Sequence, residues 1–338
     1  MRSHVGFDTL WSMKIPVPYA LLLRDGAFGW SCGQCPLDRS GAVVAPDDPV
    51  AQAALVTEYC AQVLAQAGFA PQDLVMALVY HDVADPAPSL LCLQKGLGKA
   101  ALLVPVRVPA FYYPGMRIEV DLFAVADGPH PAQPFARNGL VGHEVTAGGL
   151  TYLAATLIPG HDPGTARTAL PDTLIIEHWA SPNPLPGLPA HTLIDRDLPD
   201  TLVWAVSAEP DHAGAGKWLS LTGTAPDQPG LVAQTEAIMQ AHADALHAAG
   251  LRFADVVKST THYIGEPTAH DLHANMQVRN RRYIGPDSGL NGGIGPASTG
   301  IRVAGLANPG ALTAISLLIR APVRSDSPAT LHSVGKTL

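Results

Sequence analysis

Along the first third of the chain, the hydrophobic and polar positions change period twice. Residues 19–24 and 27–32 are largely apolar runs around Asp25-Gly26, a dipeptide that favours the tight turn of a β-hairpin. Val50, Ala54, Leu55, Tyr59, Val63, Leu64 and Ala67 then recur with helical period, opened by Pro49 and stopped by Gly68. Residues 74–80 favour a strand, 88–99 a second helix, and 102–111 and 116–125 two strands around Pro114-Gly115. Along the last strand Met116, Ile118, Val120 and Leu122 share one face, and Arg117, Glu119, Asp121 and Phe123 the other. The predicted order is β-β-α-β-α-β-β.

The pattern then repeats. Val50-Ala51-Gln52, Ala67-Gly68, Asp73 and Val75 align without a gap on Val232-Ala233-Gln234, Ala249-Gly250, Asp255 and Val257. Gly33 and Pro114-Gly115 likewise correspond to Gly223 and Pro309-Gly310. Strands at 201–206 and 217–222, a helix at 232–249, a strand at 256–264, a helix at 269–283 and strands at 301–304 and 311–319 make the second copy. Each copy is expected to be an α+β layer with its two helices on one face of the sheet, the other face covering a barrel-like core between units. The expected organisation is a first unit over 1–126, an insertion or linker with one extra hairpin over 127–200, a second unit over 201–322 and a tail over 323–338. Ile175, Ile176 and Trp179 make the Pro-rich insertion an ordered cover rather than a tether.

Composition narrows the function. The chain is 47% hydrophobic and 15% charged over 338 residues, as packed proteins are. Its net charge is −8 and its one basic cluster is Arg279, Arg281 and Arg282, which argues against a nucleic-acid partner. Arg281 and Arg282, with Asn280, also fit the dipole of a helix C-terminus. No apolar run approaches the ~18 residues of a membrane span. Cys32, Cys35, Cys60 and Cys92 all lie in the first half, and the start of the chain carries no leader pattern, so reduced thiols in the cytoplasm are expected. Cys32-Gly33-Gln34-Cys35 has no second half-site and reads as structural. His270 and His273 are the sole histidine pair at helical spacing, so neither a metal nor another cofactor is expected.

These motifs resemble those of the RidA (YjgF, UK114) superfamily. The resemblance rests on Cys32-Gly33-Gln34-Cys35-Pro36, Ala51-Gln52, the junction from Ala67-Gly68 to Asp73-Leu74-Val75, and Pro114-Gly115-Met116-Arg117-Ile118-Glu119-Val120-Asp121. The second copy matches through Thr222-Gly223-Thr224-Ala225-Pro226, Ala233-Gln234, Ala249-Gly250, Asp255-Val256-Val257-Lys258 and Pro309-Gly310. It implies a trimer-like arrangement, as a homotrimer or by pseudo-symmetric self-association, with clefts between adjacent units. It also implies cofactor-independent hydrolysis of a small carboxylate-bearing imine or enamine. Two departures stand out. Ser298 occupies the place of the superfamily's carboxylate-binding arginine, and the closing Glu119 and Asp121 become Ala314 and Ser316 in the second copy.

The candidate catalytic residues are therefore Glu119, Asp121 and Tyr113. Arg107 and Arg302, at equivalent places in the two copies, are the candidate carboxylate anchors, with Ser298, Thr299 and Tyr112 completing the binding set. The asymmetric tandem is also similar to the chorismatases, which cleave an enol-pyruvyl ether, although here the halves stand in the opposite order. A non-catalytic ligand-binding or assembly module is the third reading, motivated by the missing arginine.

Overall fold

In the computed structural model, which describes residues 2–7, 9–13, 16–98, 102–208, 217–265, 269–321 and 336–337, the first unit forms as its periodicity predicts. It runs β1 (Arg2–Val5), β2 (Leu22–Asp25), β3 (Phe28–Ser31), α1 (Pro49–Gln66), β4 (Leu74–His81), α2 (Ala87–Leu97), β5 (Leu102–Arg107) and β6 (Ile118–Val125). The spatial order is β1-β2-β3-β6-β4-β5, and only β4 and β5 are parallel. The Asp48 side chain caps α1 by accepting from the Val50 and Ala51 amides, with Pro49 in the first turn.

The middle of the chain is not a linker with one hairpin. It folds as β7 (Gln133–Arg137), β8 (Leu140–Ala147), β9 (Leu150–Leu157), the short α3 (Pro163–Arg167), β10 (Leu174–Ser181), β11 (Leu193–Ile194) and β12 (Thr201–Ala208). These make a complete six-stranded sheet, β11-β10-β12-β9-β8-β7. Residues 201–206, predicted to open the second copy, instead close this sheet, because β12 pairs along its length with β9 and β10.

The third unit comprises β13 (Lys217–Thr224), α4 (Gly230–Ala248), β14 (Val256–Tyr263), α5 (Ala269–Ile284), β15 (Ala297–Arg302), β16 (Thr313–Ala321) and β17 (Lys336–Thr337), in the order β15-β14-β16-β13-β17. Its strand β15 starts at Ala297, earlier than the predicted 301, where it aligns in parallel with Lys258. Of the predicted tail, Lys336–Thr337 forms an edge strand beside β13, and the rest lies outside the described residues.

The strand order of the first sheet recurs in the middle one, with β8, β9, β12, β10 and β11 standing for β2, β3, β6, β4 and β5. The likeness extends to a local irregularity. Pairing with the closing strand shifts register between Leu74 and Met76, between Leu174 and Ile176, and between Val256 and Lys258. One bulge thus recurs at the same point in all three sheets, as an inherited bend would. The middle unit has lost both helices. Its outer face is covered instead by α3 and the neighbouring loops, with Leu153, Ala166, Leu170, Trp179 and Val203 in one apolar cluster.

The three sheets touch head to tail: β5 against β8 and β9, β10 against β13, and β14 and β15 against β3. The trimer-like arrangement is therefore made within one chain. Two glutamines explain why both copies keep the Ala-Gln pair. Buried Gln52 donates to the Ala45 and Gly115 carbonyls and accepts from the Arg117 amide, and Gln234 repeats this with Gln228, Gly310 and Leu312. Each ties a helix to the Pro-Gly turn before the closing strand.

Where the first and third sheets meet, the Lys258 ammonium is buried and spends all three protons, on the Ser31 carbonyl, the Asp121 carboxylate and the Thr299 hydroxyl, at 2.7, 2.8 and 2.6 Å. Thr299 in turn donates to Asp121 at 2.6 Å. Met76 holds the corresponding place in the first sheet, so Lys258→Met is sterically modest but leaves Asp121 buried without its cation. The expected loss is about 3–5 kcal/mol, read by denaturant unfolding. Adding Asp121→Asn should recover much of it.

Candidate active site between the first and third sheets

A cavity of about 80 Å³ lies between the inward end of β6 and the edge strand β15. That volume suits a small molecule and not an extended polymer. From the first unit it is lined by Cys32, Gly33, Cys35, Tyr112, Tyr113, Met116 and Glu119, and from the third by Tyr263, Met276, Arg279, Ser298, Gly300 and Arg302. Phe7, Trp11 and Met13 of the N-terminal segment form an apolar wall, with Phe7 and Trp11 edge to face at 5.0 Å.

Five of the eight predicted residues meet here: Glu119, Tyr112, Tyr113, Ser298 and Arg302. Ser298, Gly300 and Arg302 share one face of β15, as the two-residue strand period requires. The other three lie elsewhere. Asp121 is fully buried in its ion pair with Lys258, and Thr299 is bound to both; the two stand behind the cavity rather than in it. Arg107 is at a different junction, where it binds Asp195 at 2.6 Å and Asp197 at 2.9 Å. It occupies the same register as Arg302, opposite His81 where Arg302 is opposite Tyr263, but β5 faces the middle sheet and β15 faces the first.

Glu119 is buried, and its carboxyl packs where only glycine fits: a β-carbon on Gly33 would overlap it. Burial, then the charge of Asp121, pushes its pKa up to about 8, against the opposing pull of Lys258 and Cys35. The acid therefore holds its proton at neutral pH. The Cys35 thiol is itself pushed up, by burial first and by Glu119 second, so it is not a ready nucleophile. Tyr19 also lines the cavity. Its hydroxyl is buried beside Ser298, and burial raises its pKa.

Arg279 was missed as a site residue because it was grouped with Arg281 and Arg282. Those two reach outward to Glu236 and Gln240, whereas Arg279 is only 4% exposed and donates to Asn275 and Thr261. Its spacing from Met276 and Tyr283 puts it on the buried stripe of α5, and that was the available signal. The same helix is tied to the first unit by a 2.7 Å hydrogen bond between His273 Nε2 and the Tyr112 hydroxyl. The His270 side chain lies outside the described residues.

Three solved structures show a partial likeness to this chain. A putative endoribonuclease from Thermotoga maritima is 22% identical, with a TM-score of 0.34, over 38% of this chain and 100% of its own. A putative endoribonuclease L-PSP from Entamoeba histolytica is 19% identical, with a TM-score of 0.33, over 37% of this chain and 99% of its own. TdcF from E. coli, solved with bound serine, gives 18%, 0.33, 37% and 99%. No protein-family model and no curated protein matches the chain. Each of these structures matches over nearly its whole length but covers little more than a third of this chain. No helix among the described residues is long and apolar enough to cross a membrane.

Because the folded pKa of Glu119 lies above its ordinary value near 4.5, the protonated form favours folding, and that contribution fades as pH rises from about 4.5 through about 8. Glu119→Gln should remove this dependence. Unfolding measured across that interval should show wild type losing stability relative to the variant.

Proposed function

We propose that the chain is a cofactor-independent hydrolase acting on a small carboxylate-bearing imine or enamine at this cavity. The observation that carries the reading is a protonated, buried Glu119 facing a cavity that also presents the guanidinium groups of Arg279 and Arg302. A substrate carboxylate would lie against the arginines, supplying the charge that Ser298 does not. Glu119 would give its proton to the terminal carbon of a C=C–N unit, leaving an iminium. Water would add to the iminium carbon and return a proton to Glu119, and ammonia would leave as the carbonyl forms. Tyr19, Tyr112 and Tyr113 would hold the polar atoms of the substrate.

The same proton transfer supports a second reading, cleavage of an enol-pyruvyl ether, in which an alcohol leaves in place of ammonia. The wall of Phe7, Trp11 and Phe111 favours it by offering an apolar face to a ring-bearing substrate. The purified chain would be supplied with a panel of 2-imino acids generated in situ, and separately with chorismate, while ammonia and pyruvate are followed. Turnover of one class is expected, with kcat/KM lowered by about 100-fold or more in Glu119→Gln. Activity should fall as pH rises through about 8. Full turnover by Glu119→Gln, or product from neither class, would sink the proposal and favour a non-catalytic ligand-binding module.

A further inference from the structure

The junction of the middle and third sheets holds another cavity, of about 120 Å³, lined by His178, His191, Ser220, Thr222, Thr260 and Ser316. The repeat shows that this polarity is not needed by the fold. Thr260 and His178 occupy the place after the shared bulge that Leu78 holds in β4, and Ser220 corresponds to Trp30 of β3. At these places the first sheet is apolar where this junction carries hydroxyls and an imidazole, whereas Ser316 stands where the first sheet has Asp121.

Two of these groups are buried with an atom that has nothing to bind. The Nδ1 atoms of His178 and His191 have no hydrogen-bond partner, and both side chains are more than nine-tenths buried; His262, outside the lining but with its ring 5.4 Å from that of His178, leaves both its nitrogens unpartnered. Such atoms cost free energy unless something occupies the space before them. His191 Nε2 lies 2.8 Å from the Glu177 carbonyl, which can only accept, so that nitrogen carries the proton and Nδ1 presents a bare lone pair. Burial disfavours the charged form of all three rings. The nearby charges are already matched, Lys258 with Asp121 and Arg167 with Glu177 through two bonds of 2.6 and 2.8 Å. Among the described residues no group of His, Cys, Asp or Glu is placed to hold a metal ion.

A ligand here must donate to His191 Nδ1 and exchange hydrogen bonds in both directions with hydroxyls and neutral imidazoles. It finds no spare charge. An anion, which only accepts, would face the lone pair of His191. We propose that this junction is a second ligand site, separate from the cavity at Glu119, for a small uncharged molecule bearing several hydroxyl groups.

The probes are glycerol and xylitol, followed by saturation-transfer NMR on the full chain and by the fluorescence of Trp204, which stacks on His178 at 5.3 Å. Saturable binding of at least one polyol is expected. It should weaken about tenfold in Thr260→Leu, which installs the first sheet's residue, and in His191→Phe, as loss of a buried hydrogen bond implies. Cooperative thermal unfolding would establish that both variants are folded. Glu119→Gln should bind the polyol as wild type does, which keeps this result independent of the reaction proposed above. No saturable binding, unchanged binding in both cavity variants, loss in Glu119→Gln, or displacement of the polyol by acetate or zinc would each overturn the assignment.

Discussion

A sheet with helices on one side leaves its other side bare, and the rest of this structure follows from how that side is covered. Three sheets turn their inner faces toward one another and touch in a closed cycle. The largest apolar cluster accordingly runs from Trp30 and Phe123 in the first sheet through Tyr152 and Trp204 in the middle one to Val257 and Ile301 in the third. Burial of this continuous core, rather than any single strand pairing, holds the units together. The middle unit could then shed its helices without exposing its outer face, because α3 and the loops took over that cover.

Most of the first and third units was legible in the sequence, because their helices impose a 3.6-residue period and their glycines and glutamines recur. Gln52 and Gln234 illustrate why such positions are kept: each meets three backbone groups that no shorter side chain would reach. The middle sheet was hidden for the complementary reason. With its helices gone, what remained were strands separated by prolines, and the five-residue α3 is too short to show a period. Arg107 misled for a geometric reason. Equivalence within a unit says nothing about which neighbour a strand edge faces, and Arg107 and Arg302 face different ones.

The buried Lys258–Asp121 pair marks how far the three junctions have diverged. A lysine replaces Met76's counterpart in the third sheet, an aspartate stands where the third sheet has Ser316, and each finds its charge partner only across the junction. This pairing favours one mutual placement of the first and third sheets over sliding alternatives, since any slip would leave two charges buried apart. The same Asp121 charge helps keep Glu119 protonated. Assembly and the chemistry of the cavity thus share a residue.

The cyclic contact has a consequence for biosynthesis. The first and third sheets meet directly, yet nearly a hundred residues separate the end of β6 at Val125 from the start of β13 at Lys217. On the ribosome the first sheet emerges long before its partner, and the face bearing Glu119 and Asp121 must wait with a half-buried acid pair and no lysine. The cavity therefore comes into being only when β15 has been made, and a nascent chain stalled after the middle sheet would present that open face to chaperones or to other chains.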